Sequence, residues 1–230
     1  MEDNLSDRRK RVEEPYFFPW NVNGYMEMTY KVEEEKYRHY IGSGILIDKD
    51  TLLTAGHCLY IKEYGAVVDL KFYPGRHGNL SEDIFSSKRF FMPNEWQFNQ
   101  DEDHDIGLVV LDGDYKTTSY SNLSVLSDDE LFNLLVRVSG YPGDKRDNNG
   151  LPYMYTMHGP IVTVKKNKFY YHIDTSGGQS GSGVLIEGDF QRAINSCVGI
   201  HVTGCAEEGN GAVRLNKEKL GSIEAWIKHK

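Results

Sequence analysis

Three short segments of this 230-residue chain carry side chains suited to acyl-transfer chemistry: TAGHC at 54–58, DHDIGLVVL at 103–111 and GGQSGSG at 177–183. His57 follows a short apolar run, Thr51–Thr54, with small residues just before it. An imidazole presented in a cleft at a strand end titrates near neutrality, which suits a general base. Asp105 stands at the mouth of a second apolar run, Ile106–Leu111, where a carboxylate needs a hydrogen-bonding partner. A histidine partner would be held in one tautomer and its cationic form stabilised. Ser180 lies among glycines. In a tight turn of that composition successive N–H groups converge on one point, so those of Gly178 and Ser180 form a candidate oxyanion hole. A side chain at 178 would obstruct the approach of a substrate carbonyl.

Each segment alone has a plainer reading: a core or surface histidine, strand-end punctuation in an acidic loop, a flexible Gly/Ser stretch. The apolar runs flanking GGQSGSG, Phe169–Ile173 and Val184–Ile186, argue against a linker. A serine becomes nucleophilic when a base takes its proton and a third group orients that base. His57, Asp105 and Ser180 fill these roles in that order along the chain.

Positioning such groups calls for a strand-rich scaffold, and the composition fits one: 23 Gly and 15 Tyr against 7 Pro, as in strands joined by tight turns. The pattern predicts strands at 26–32, 39–47, 51–54, 66–73, 85–91 and 106–111, then at 134–140, 153–158, 161–164, 169–173, 183–186, 197–202 and 211–215. These form two runs of about six, with no long amphipathic helix between them, which predicts two antiparallel barrels rather than βαβ units. The fold class is therefore all-β: two six-stranded barrels with a C-terminal helix. The predicted divisions are an N-terminal arm at 1–25, a first barrel at 26–118 carrying His57 and Asp105, a linker and second barrel at 119–215 carrying Ser180, and a helix at 216–230. Asn216 can cap that helix, and Leu220, Ile223, Trp226 and Ile227 share one face of it.

A net charge of −8 argues against nucleic acid as the main partner. The basic cluster Arg8–Arg11 reads as a solvated arm, whose aromatic half from Tyr16 to Trp20 docks on a surface. No apolar stretch is long enough to span a membrane, and the first thirty residues lack the apolar core of a secretory signal. Of Cys58, Cys197 and Cys205, only the last two are close enough in sequence to suggest a loop closure. No cofactor is expected, and the acidic stretch Asp101–Asp105 has no spacing that compels a metal. The expected partners are polypeptide substrates; the sequence leaves the oligomeric state open, with a monomer favoured.

TAGHC, HDIGL and GQSGSG resemble the three active-site motifs of chymotrypsin-like serine peptidases. More narrowly, the chain is similar to the bacterial glutamyl endopeptidase branch, through DRRKRV near the start, FYPGRHG at 72–78, FMPNEW at 91–96, SGYPGDK at 139–145, HGPI at 158–161, IDTSGGQSGSG at 173–183 and GIHVTG at 199–204. The resemblance runs from about Asp7 to the terminal helix. It implies a secreted serine endopeptidase that cleaves after Glu, with Thr175 and His201 binding the substrate carboxylate and Val202, Thr203 and Gly204 pairing with the peptide backbone. Asp174 complicates this. A carboxylate in the pocket would favour Lys or Arg, at about 4 Å and an effective dielectric of 20 by about 4 kcal/mol before desolvation.

The chain also departs from the family pattern. Cys58 lacks its usual partner, because the strand that would supply it reads Tyr40-Ile41-Gly42-Ser43. Gly183 replaces the usual Pro, and Gln179 cannot form the ion pair that an Asp before the nucleophile makes in trypsin-type activation. Against the peptidase stand a catalytically weak binding module of the same fold and a chaperone-protease, which would need an appended peptide-binding domain. Activity should rise as His57 loses its proton, around pH 6 to 7.

Overall fold

The computed structural model describes residues 7–80, 83–188, 195–206 and 208–230. In chain order the strands of the first half are β1 (Lys10–Arg11), β2 (Asn23–Glu33), β3 (Lys36–Asp48), β4 (Thr51–Thr54), β5 (Tyr60–Ile61), β6 (Gly65–Ala66), β7 (Asp69–Pro74), β8 (Phe85–Ser87), β9 (Arg89–Phe91) and β10 (Gly107–Val110). Those of the second half are β11 (Leu135–Gly140), β12 (Tyr155–Val164), β13 (Lys168–Tyr171), β14 (Gly183–Ile186), β15 (Cys197–Ala206) and β16 (Gly209–Arg214). The α-helices are α1 (Asn94–Asn99), α2 (Asp128–Leu131) and α3 (Lys217–Lys228).

The first sheet runs β8-β7-β2-β3-β4-β10-β9, antiparallel throughout. Its two edge strands follow one another in the chain. Residues 85–91, expected as one strand, break at Lys88, so that β8 pairs with β7 and β9 with β10. The Ser87 hydroxyl donates to the Val110 carbonyl at 2.6 Å, fastening the bend across both edges. The sheet thereby curls into a nearly closed barrel. The second sheet runs β12-β11-β14-β15-β16-β13 and closes through β13–β12, a complete six-stranded barrel with β1 added on β12. The expected strands 153–158 and 161–164 are one strand, with a bulge between Ile161 and Thr163.

Buried Ile45, Leu46, Leu52, Leu53 and Leu108 fill the first barrel, and Val136, Val138, Phe169 and Val184 the second. Fully burying each such side chain contributes about 1.5–3 kcal/mol. Helix α3 lies inside the expected 216–230; Asn216 accepts from the Lys219 N–H at 3.0 Å, and Ile223 is buried in the first core.

The arm meets expectation only in part. Arg8 and Lys10 are exposed, but the rest of the basic half is docked: Arg9 is 5% exposed, Arg11 lies 3.6 Å over the Tyr153 ring, and Val12 is buried with Tyr25, Tyr141 and Met154. Trp20 packs on that cluster, whereas Tyr16 and Phe17 are exposed. Cys197 is a buried free thiol donating to the Gly199 carbonyl at 3.1 Å, so the suggested closure to Cys205 does not occur. Burial pushes that thiol's pKa up to about 12.

Candidate active site

The site forms where the ends of β4, β10 and β14 meet. His57 lies in a single 3₁₀ turn, Gly56–Cys58, directly after β4. Asp105 ends another, Glu102–His104, just before β10, and β4 and β10 are paired neighbours. That pairing brings the two loops together. Asp105 is 5% exposed, and its carboxylate grips His57 twice, accepting from the backbone N–H at 2.7 Å and meeting Nδ1 at 2.7 Å. Burial pulls the imidazole's pKa down, and the Asp105 charge more than reverses this, leaving it well above the ordinary histidine value.

Two neighbours fix the pair that the sequence reading did not identify. Trp96, on the unexpected helix α1, packs edge-on against the His57 ring with centroids 6.3 Å apart and donates to the Tyr60 carbonyl. The signal for α1 was FMPNEW: Pro93 at the cap and Glu95 in the first turn. The acidic loop before Asp105 is stapled to the second barrel, Glu102 to Lys168 and Asp103 to Asn167, each at 3.1 Å.

Ser180 rides on the turn before β14. Gly178 and Gly181 have φ of +100° and +89°, and a Cβ there would overlap the Tyr141 and Ser43 carbonyls respectively. Only glycine fits both positions. Ser43, fully buried on β3, reaches across from the first barrel. Its N–H donates to the Ser180 carbonyl and its hydroxyl to the Gly178 carbonyl, both at 2.8 Å, while that hydroxyl accepts from Tyr141 N–H at 3.0 Å. Within the turn Gln179 N–H donates to Ser176, Gly181 to His201 and Ser182 to Gln179. Among the described residues the N–H groups of Gly178 and Ser180 donate to none.

The Ser180 carbonyl lies 3.9 Å from the thiol of Cys58, next to His57, so the loops expected to cooperate are adjacent. Ser180 Oγ itself makes no hydrogen bond among the described residues, to the His57 ring or elsewhere. His201, on β15, is buried with Nδ1 2.8 Å from the Tyr171 hydroxyl. Burial first, then the nearby His57 charge, lower its pKa to about 4, so it is neutral at pH 7. Thr175 is half-buried, and its hydroxyl makes no hydrogen bond among the described residues. Asp174 turns to the arm, bonded by Arg8 through its backbone N–H, Nε and Nη2 at 2.8–3.2 Å. Val202–Gly204 extend past the start of β14, which reaches only to Ile200.

The two barrels, with a Gly-rich turn and a histidine–carboxylate pair at their junction, define a chymotrypsin-like serine endopeptidase. The trypsin family profile matches residues 9–220, and the chain belongs to that family. A protein named glutamyl endopeptidase from Bacillus licheniformis is 29% identical over 96% of this chain and 67% of its own length. Another of that name from Staphylococcus aureus is 31% identical over 85% of this chain and 57% of its own. A Bacillus subtilis protein named extracellular metalloprotease is 26% identical over 96% of this chain and 68% of its own. A solved Glu endopeptidase structure superposes with a TM-score of 0.84 at 24% identity, covering 98% and 99% of the two chains. Among the described residues no group of three or more His, Cys, Asp or Glu is placed to hold a metal ion, and no helix is long and apolar enough to cross a membrane.

Proposed function

We propose that Ser180 is the nucleophile of this endopeptidase, with His57 as general base, Asp105 as its orienter, and cleavage after Glu. His57 Nε2 takes the proton from Ser180 Oγ as that oxygen bonds to the peptide carbonyl. The N–H groups of Gly178 and Ser180 receive the oxyanion, and the imidazolium then protonates the leaving amine. Water reverses these steps to release the acyl group. The observation that carries the reading is the pair of unspent N–H groups beside a histidine held at two points by a buried carboxylate.

For the specificity pocket, the free hydroxyl of Thr175 and one N–H of neutral His201 would hold the substrate carboxylate. In this reading the Tyr171 hydroxyl, 2.8 Å from Nδ1, is the donor to it, and the proton of the neutral ring is on Nε2. The Arg8 pairing of Asp174 weighs against cleavage after Lys or Arg. The open edge of Val202, Thr203 and Gly204 would take the substrate backbone as an added strand. The likeness to the two glutamyl endopeptidases supports the same specificity.

A peptide-library digest read by mass spectrometry tests the pocket. Cuts after Glu are expected; cuts mainly after Lys or Arg would overturn it. Ser180→Ala should retain the fold and lose turnover by about a million-fold. Labelling of the wild type by a fluorophosphonate at Ser180 tests the nucleophile, and a catalytically weak binding module would not react.

A further inference from the structure

The turn bearing Ser180 is tied on its outer side to one buried cation. Arg9 Nη1 donates to Gln179 Oε1 at 3.3 Å, Ser176 Oγ at 3.2 Å and Asp144 Oδ1 at 3.0 Å. Its Nη2 reaches Asp144 Oδ2 at 2.5 Å and Asp7 Oδ2 at 2.7 Å, and Nε reaches Asp7 Oδ1 at 3.0 Å. Ser176 Oγ in turn donates to Asp144. Gln179, adjacent to Ser180 and 1% exposed, accepts at the same Oε1 from Ser176 N–H at 3.0 Å. The short turn holding Asp144 is itself tied to the Ser180 loop, since Gly143 N–H donates to the Gly177 carbonyl at 2.7 Å. Lys145 closes the assembly on Asp7 at 2.7 Å.

We propose that Arg9 is a positioning residue for the catalytic turn, locking Ser176–Gln179 so that the Gly178 and Ser180 N–H groups stay aimed at the substrate carbonyl oxygen. This rests on the reading of Ser180 as nucleophile. An oxyanion hole needs N–H groups left unspent, so the turn cannot use them to hold its own shape. It must be held from outside. Ser43 does so on the side of the first barrel, and the arm does so on the other through a planar fork of five N–H donors. An ammonium at the same place could not reach Asp7, Asp144, Ser176 and Gln179 together. Without the guanidinium, Asp144 would lose its cation, Asp7 would keep only Lys145, and the Gln179 amide would lose one of its anchors.

The test uses the full chain, with turnover normalised to active sites titrated by a burst substrate. In Arg9→Ala, kcat per titrated site should fall about 10–100-fold, on the scale of a misplaced oxyanion donor. KM and the acid midpoint of the pH profile should stay near wild type. Fluorophosphonate labelling should slow in parallel. Guanidinium ion at tens of millimolar should restore part of kcat, whereas sodium at equal ionic strength should not. Arg9→Lys should lose most of the effect despite keeping the charge, and Lys10→Ala, on the exposed face of β1, should be unaffected. If Arg9→Ala does not fold, Arg9→Lys and Asp144→Asn carry the same measurements. Variants with kcat per titrated site within twofold of wild type would overturn the inference, as would a loss confined to the active fraction. A wild type that does not label at Ser180 would instead remove the nucleophile reading beneath it.

Discussion

Gly42→Cys should create a disulfide with Cys58. Gly42 lies on β3 with its φ outside the left-handed region, so a side chain is permitted there. A Cβ built on it sits 3.1 Å from the Cys58 sulfur, and an S–S bond of about 2.05 Å places each Cβ about 3 Å from the partner sulfur. The closed loop of about 17 residues would constrain the unfolded chain by about 3 kcal/mol. The same Cβ lies 3.1 Å from the terminal methyl of Met28 and 3.4 Å from the Ser180 carbonyl. Met28 must give way, and a flexible thioether does so for about 1 kcal/mol. The net gain of about 2 kcal/mol raises the melting temperature by about 4–8 °C in a chain of this size. Scanning calorimetry of the oxidised and reduced variant checks this, with Gly42→Ala isolating the packing cost. An oxidised protein with no 42–58 bond by peptide mass, or one melting no higher than Gly42→Ala, would refute the placement of β3 beneath Cys58.

Ser43→Ala leaves the Gly178 carbonyl and Tyr141 N–H without the hydroxyl they share, which costs about 2–4 kcal/mol by denaturant unfolding, and kcat should fall more than KM rises. The pH profile of kcat/KM should have an acid midpoint above the ordinary histidine value of about 6.5, because the proposed base, His57, acts in its neutral form and Asp105 raises its pKa. The same shift makes the His57–Asp105 pair stabilising at low pH, with the contribution lost as pH rises through the raised value. Asp7, Asp144 and Asp174, all lowered first by their arginine partners, act in the opposite sense. Their contribution is present above the ordinary carboxylate range and lost as pH falls through the depressed values, so the arm should loosen in acid, visible as faster amide exchange at residues 8–12.

What could be read from the sequence divides along physical lines. Thr51–Thr54 and Gly183–Ile186 were placed to the residue because both are short apolar runs bounded by turn formers, and α3 was found within 216–230 because its cap and apolar face agree. The break at Lys88 was not visible: Ser87 bends the chain by bonding a carbonyl more than twenty residues away, and no local propensity encodes that. His57, Asp105 and the glycines of the turn could be named because chemistry restricts their types. Ser43 and Arg9 could not. Their importance comes from long-range partners, Gly178 for one and Asp144 with Gln179 for the other, on segments more than a hundred residues distant. The direction in which Asp174 turns was hidden for the same reason, since its partner Arg8 lies at the far end of the chain.

The two barrels do not simply bring His57 and the Ser180 turn together; the first barrel holds both. Thr54, last residue of β4 and three before His57, donates from its hydroxyl to the Ser43 carbonyl at 2.8 Å. Ser43 in turn holds the carbonyls on either side of Gln179. The turn of the second barrel is therefore suspended from the strand pair that sets the position of the histidine. A sliding motion between barrels would have to break these buried bonds, each left unpaired at a cost of about 1–3 kcal/mol, before it could separate the two groups. Geometry at the junction is thus insensitive to how the rest of each barrel breathes. On the turn's outer face the ties among the described residues come from the arm and from the short loop it grips.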